Sequence, residues 1–214
     1  VTVDDIARLE FSNHMAATAL KRMVFSFHEG MTDFAAVEAA RIGGLPLGCH
    51  VTFAMGDTPG LSGPIGDRIV KGRPASFNVA HWGSNICRAG WMARGAGELP
   101  DSAAGYLEDF VFPYTRAMSD WCAMMRPGVA GGAVWTMIHD RLPPDFGITL
   151  NPGHLIGLDE WMSSPIMQGS DIPLASGMAM QMDVIPAHPR WGSTRMEDGY
   201  VIADEGLRED LART

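Results

Sequence analysis

The sequence predicts an α+β fold in which two similar halves, each with helices first and strands second, close into one sheet backed by helices. Three observations predict it. Helical periodicity appears twice, over Asp4 to Phe27 and over Ser102 to Met125; each time a Gly break and a second short helix follow; and each time β-prone runs with turn-forming residues come after. Aligning FHEGMTDFAAVEAA with MRPGVAGGAVWTMI shows the same break ahead of the same Val-bearing helix. Two such halves leave a concave sheet face for a site.

In the first half, Ile6, Leu9, Met15, Ala16, Ala19, Leu20, Met23 and Val24 fall on one helical face. Gly30 suits the residue just past a helix end, and Thr32 or Asp33 suits the N-cap of a second helix, Phe34 to Ile42. LPLGCHVTFAMGD reads as a strand or two and TPGLSGPIGDRIVKGRP as a long loop. SFNVAHWGSNICRAGWMAR reads as a hairpin turning at Gly83, Ser84 and Asn85. In the second half, Leu107, Phe110, Val111, Tyr114, Met118, Trp121, Cys122 and Met125 repeat the helical period, and RPGVAGGAVWTMIHDRL repeats the break and second helix. The stretch from Gly153 to Asp198 then supplies the second set of strands.

A chain of 214 residues buries one sizeable core, so a single domain over residues 1–214 is expected. Its formal charge of −9 argues against a nucleic acid or an anionic membrane as partner, because binding phosphates requires a basic face. No apolar run approaches the roughly 20 residues that cross a bilayer, and the start VTVDDIARLE is acidic, unlike a signal peptide. Cys49, Cys87 and Cys122 are scattered with no CxxC, which fits a reducing cytoplasm and small buried hydrophobes. A cytoplasmic location is expected.

Three groups able to bind a metal or move a proton, His154, Asp183 and Glu197, each sit in a strand-like segment. Asp183 lies between Met182 and Val184, where a carboxylate needs a cation or hydrogen-bond partner; pairing with Arg195 is the plainer alternative. Alternation in STRMEDGYV puts Glu197 on the same strand face as Arg195. His154 reads either as a site residue or as a core histidine satisfied by backbone. His81, in the first hairpin, is a candidate general base, and His188, on the Pro-rich AHPRWG loop, borders a pocket in this reading. Cys87 beside Arg88 admits a lowered thiol pKa, and MAMQM reads as strand packing.

GHLIGLDEW with His154, GMAMQMDVIP with Asp183 and TRMEDGYVIAD with Glu197 together carry a family resemblance. In order, in spacing and in the surrounding Gly177, Pro186, Trp191, Gly192 and Arg195, the sequence resembles the pita-bread domain of the creatinase, prolidase and methionine-aminopeptidase superfamily, over essentially its whole length. The resemblance implies a curved antiparallel sheet formed by two pseudo-symmetric halves, and a homodimer. It also implies that the N-terminal creatinase-type domain often found in the family is absent here.

The first half departs from the pattern. Family metalloenzymes carry two Asp on this hairpin, one near its start and one eleven residues later, and the positions matched to them are Asn78 and Ala89. A His that these enzymes place in a PH dipeptide falls near Leu61 to Gly63 and is missing. Trp161 replaces a later His, and Asp183 shortens a Glu. A dinuclear site needs several carboxylates to offset two divalent cations, so the resemblance is closest to the metal-free creatinase branch. The expectation is a creatinase-like or Xaa-Pro peptidase-like hydrolase that cleaves a C–N bond of a small polar amide, amidine or dipeptide without a cofactor. In it, His154 or Glu197 relays protons and Asp183 holds a cationic substrate group. Asn78 and His81 orient the carbonyl or water, and Trp161, Arg195 and His188 surround the substrate. Alternatives are one divalent metal ion held by His154, Asp183 and Glu197, a binding protein without activity, and lyase chemistry.

Overall fold

Thr2 starts the first helix, α1 (Val3–Ser26), through a capping box: its hydroxyl accepts from the Asp5 N–H, and the Asp5 carboxylate accepts from the Thr2 N–H. The computed structural model describes residues 1–56, 62–157 and 162–214. Thr32 caps α2 (Asp33–Ala39) by accepting from the Ala35 N–H. Asp33, at the first turn of α2, is buried and accepts from the N–H groups of Ile65, Gly66 and Asp67, tying the incoming loop to the helix.

The six strands are β1 (Thr52–Met55), β2 (Pro74–Val79), β3 (Ile86–Trp91), β4 (His154–Leu155), β5 (Ala179–Met182) and β6 (Arg195–Val201). They form one antiparallel sheet in the order β1-β2-β3-β6-β5-β4. Each half of the chain therefore contributes three adjacent strands, and the halves meet where β3 pairs β6. Two apolar cores match the two halves. Behind β1 to β3, Phe27 packs edge-on against Phe53 and Phe77 beneath α1 and α2. Behind β5 and β6, Phe110, Tyr114, Trp121, Met180 and Met182 pack under α3 (Phe112–Met124) and α4 (Gly131–Arg141). A terminal helix, α5 (Glu205–Ala212), closes the described chain.

The two-half reading of the sequence matches this sheet order. Three details differ. The second half's helical period opens as a π-helical turn, Tyr106–Val111, before α3. Pro113 is the reason: it has no N–H for the preceding turn and its ring crowds that turn's carbonyl, which the wider π geometry relieves. Only Thr52–Met55 of the first expected strand region pairs, and α2 ends at Ala39 rather than Ile42. In α4, a Cβ on Gly131 would stand 1.9 Å from the Pro165 carbonyl oxygen, so the glycine there allows helix and loop backbones to touch.

Candidate functional site

The seam between the half-sheets puts polar side chains in register. Thr52 pairs Asn78, Asn78 pairs Cys87, and Cys87 pairs Glu197, so these residues stand in one row across four strands. Met182 pairs Asp198, which brings Asp183, just past the end of β5, beside Glu197. On the next strand His154 pairs Gln181, two residues before Asp183 and on the same strand face.

His154, Asp183 and Glu197 converge. Each offers one ligand atom, and these atoms lie within 4.8 Å of one another with all three side chains buried. The His154 Nδ1–H donates to the Leu155 carbonyl at 2.9 Å, which leaves Nε2 toward Asp183 Oδ2, 3.7 Å away. A neutral imidazole in that tautomer presents a lone pair to a carboxylate, an arrangement completed by a proton or a cation between them. Among the described residues, Asp183 Oδ1 is buried with no hydrogen-bond partner.

Local packing sets these positions. Gly153, directly before His154, has φ +117°, and a Cβ there would stand 2.9 Å from both the Gln181 carbonyl oxygen and the Trp121 ring. Trp121 Nε1 donates to the Pro152 carbonyl at 2.6 Å and Ser164 Oγ to the Gly153 carbonyl at 2.6 Å, so the approach to His154 is pinned from two sides. Tyr114, from α3, donates its hydroxyl to the Val184 carbonyl at 3.1 Å and accepts from the Met196 N–H at 3.1 Å. That single side chain ties the segment after Asp183 to the residue between Arg195 and Glu197. Burial drives the Tyr114 phenol well above its usual pKa, so it stays a neutral donor.

Arg195 and Cys87 sit beside the trio. Arg195 donates from Nη1 to Cys87 Sγ at 3.2 Å. Burial works against the guanidinium charge, but Cys87, Asp183 and Glu197 around it more than offset this, and its pKa is raised. Burial pushes the Cys87 thiol up to about 12; Arg195 opposes that shift while Glu197 and Asp183 reinforce it. The reading of Cys87 as a thiolate lowered by Arg88 is therefore corrected. Arg88 is engaged with both Asp198 carboxylate oxygens, at 2.8 and 3.0 Å, and with the Glu197 carbonyl.

Other sequence-predicted residues are placed elsewhere. His81 is not brought to the trio: it bridges to Leu47 at the hairpin tip and lines a cavity of about 420 Å³ with Phe11, Leu45 and Trp82. Burial pushes its imidazole below the ordinary range, the Pro46 carbonyl partly opposing. His188 stacks on Trp191 with centroids 4.4 Å apart, contacts Phe110, and lies 3.6 Å from Asp145, so aromatic packing claims it. Asn78 is in the row, but its amide is committed. Oδ1 accepts from the Thr52 N–H and hydroxyl, both at 2.7 Å, and Nδ2 donates to Asn85 Oδ1 and Cys49 Sγ, both at 3.1 Å. Trp161 and Leu61 lie outside the described residues.

Ala89 is not the partner of Asn78. It pairs Ser76 and Arg195 further along the strands. The side chain that meets both Asn78 and Glu197 is Asn85, whose Nδ2 donates to Glu197 Oε1 at 3.1 Å. Directly across from Asn78 is Cys87, and Asn85 reaches Asn78 from the turn between the two strands. Gln181 was also missed; its Nε2 donates to the Asn85 carbonyl at 3.0 Å. The signal in the sequence is a polar residue, Gln181, inside the apolar strand AMQM, and an amide, Asn85, in the turn directly before β3.

No protein-family model matches the chain, and no curated protein sequence does. Solved structures do. The chain superposes on an Xaa-Pro dipeptidase from Bacillus anthracis with TM-score 0.78 at 19% identity, covering 94% of this chain and 59% of that one. It superposes on a prolidase from Pyrococcus furiosus with TM-score 0.76 at 19% identity, covering 94% and 61%. For an aminopeptidase P from Escherichia coli the values are 0.73 and 14%, covering 97% and 58%. The chain has the pita-bread fold. This pita-bread domain spans about three fifths of the length of the structures it matches. None of its described helices is long and apolar enough to cross a membrane.

Proposed function

We infer that this pita-bread domain is a hydrolase that cleaves a C–N bond of a small polar amide, amidine or dipeptide at His154, Asp183 and Glu197. The observation that carries the reading is the convergence of one imidazole and two carboxylates within 4.8 Å, all buried, at the seam of the half-sheets. The names of the structural neighbours, dipeptidase, prolidase and aminopeptidase, support the same bond class.

The donor set fits one divalent cation: a His nitrogen and two carboxylate oxygens, one of them lacking a hydrogen-bond partner among the described residues. It does not fit a pair, because the hairpin side of the site presents the neutral amides of Asn78 and Asn85. When bound, a single ion held by His154, Asp183 and Glu197 would polarise the scissile carbonyl and make bound water more acidic. The residues have work independent of it. Glu197, as a carboxylate, takes a proton from the attacking water and hands that proton to the leaving amine, while the His154 Nε2 lone pair orients the water. Asp183 holds a cationic substrate group, and the buried guanidinium of Arg195 offsets negative charge developing on the carbonyl oxygen. Asn78 is given no orienting role in this reading because its amide is engaged by Thr52, Asn85 and Cys49, and His81 is given none because it lines the cavity at the hairpin tip.

The neutral amides on the hairpin favour a second reading, the metal-free creatinase-like version of the same reaction. A panel of dipeptides, amides and amidines, assayed on protein purified without chelator and again after chelation, separates the two. Turnover lost with the metal and restored by adding it supports the single-ion reading, and turnover indifferent to chelation supports the other. No turnover of any panel member by well-folded protein sinks the hydrolase reading.

A further inference from the structure

Hydrogen-bond chemistry fixes the direction of the amide chain that enters the site. The Thr52 N–H is a donor only, and it lies 2.7 Å from one terminal atom of the Asn78 side chain, so that atom is the oxygen. Asn78 therefore turns its NH2 toward Asn85, whose near atom must be its own oxygen, at 3.1 Å. Asn85 is left with its NH2 facing Glu197 Oε1, at 3.1 Å. The backbone of Asn85 is held in turn by Gln181 Nε2 at 3.0 Å. The chain Thr52, Asn78, Asn85, Glu197 thus runs one way, from the strand edge into the trio, and ends on an N–H pointed at a carboxylate.

We propose that Asn85 is the residue that determines how many cations this site accepts: its oriented amide delivers a neutral donor to Glu197 where a carboxylate would admit a second divalent ion. Asn78 and Asn85 are each one atom type away from Asp. With acids at both positions the seam would hold four carboxylates and an imidazole, enough negative charge for two divalent ions. With amides it holds two carboxylates opposed by the buried Arg195 charge, enough for one. A second ion on the hairpin side would face an NH2 group at Glu197 Oε1, and the amide cannot turn to present oxygen without placing its NH2 against that of Asn78.

The proposal concerns the same site as the hydrolase reading, but ion binding tests it without turnover, so the two can fail separately. The probe is Mn2+ alone, titrated calorimetrically into the chelator-treated 214-residue chain, with electron paramagnetic resonance to detect magnetically coupled ion pairs. Wild type is expected to take no more than one equivalent, without coupling. Asn78→Asp/Asn85→Asp is expected to take one equivalent more than wild type. Asn85→Asp alone keeps the acceptor for Asn78 and is expected to bind Mn2+ about tenfold more tightly, whereas Asn85→Ala is not. Circular dichroism checks that each variant is folded; if the double variant needs the ion to fold, the two single variants carry the test. Two equivalents in wild type overturn the proposal, as does a folded double variant that gains none, or an Asn85→Asp variant that binds like Asn85→Ala.

Discussion

His154 Nε2 faces Asp183 Oδ2 across 3.7 Å, in a pocket where both side chains are about 5% exposed. A carboxylate and an imidazole so enclosed interact through little water. His154→Ala and Asp183→Asn are each expected to lower kcat/KM about 10²- to 10⁴-fold on any substrate the panel identifies. Circular dichroism should stay at wild-type values, and retention of full activity by either variant removes that residue from the reacting set.

Tyr114 spans from α3 to the two strand segments that carry Asp183 and Glu197. Tyr114→Phe keeps the ring and leaves the Val184 carbonyl and the Met196 N–H without this partner. A loss of about 1 to 3 kcal/mol of unfolding free energy is expected from the unsatisfied buried groups. Activity should fall as well, since both acids sit next to the tied residues. Denaturant unfolding and kcat/KM, measured on the same preparation, check the two effects.

Gly153→Ala places a Cβ where φ is +117° and the Gln181 carbonyl would be 2.9 Å away. The strain is expected to destabilise by about 1 to 3 kcal/mol and to shift His154, the next residue. The discriminating comparison is with Gly157→Ala, where no atom of the described residues lies within 4 Å of the added Cβ and stability should be close to wild type.

The Cys87 thiol, pushed from 9.0 to about 12 by burial, predicts a chemical and a thermodynamic result. At neutral pH iodoacetamide should label exposed Cys122 and leave buried Cys87 unmodified in the native protein, as read by peptide mass spectrometry. For stability, the unfolded thiol ionises above its ordinary pKa while the folded one keeps its proton. The contribution is thus fully present below pH 9.0 and is lost as pH rises toward about 12, at up to about 1.4 kcal/mol per pH unit. The alkaline slope of Cys87→Ala should be shallower than that of wild type by this amount; equal slopes would contradict a protonated buried thiol.

The two-half plan, the helical period over Asp4 to Phe27, the helix start near Thr32, and the three strand segments bearing His154, Asp183 and Glu197 were legible in the sequence. They depend on local periodicity, capping and Gly or Pro punctuation, which neighbouring residues in the chain decide. The tertiary structure alone decided which side chains meet. Strand register is set by pairing across distant segments, so it is Asn85 that meets both Asn78 and Glu197, and Arg195 rather than Arg88 that donates to the Cys87 sulfur. His81 and His188 carried the right chemistry in the sequence, yet one is held at the hairpin tip and the other stacked on Trp191. A residue type announces what a side chain can do; packing and register across the sheet determine whether it is where that chemistry is used.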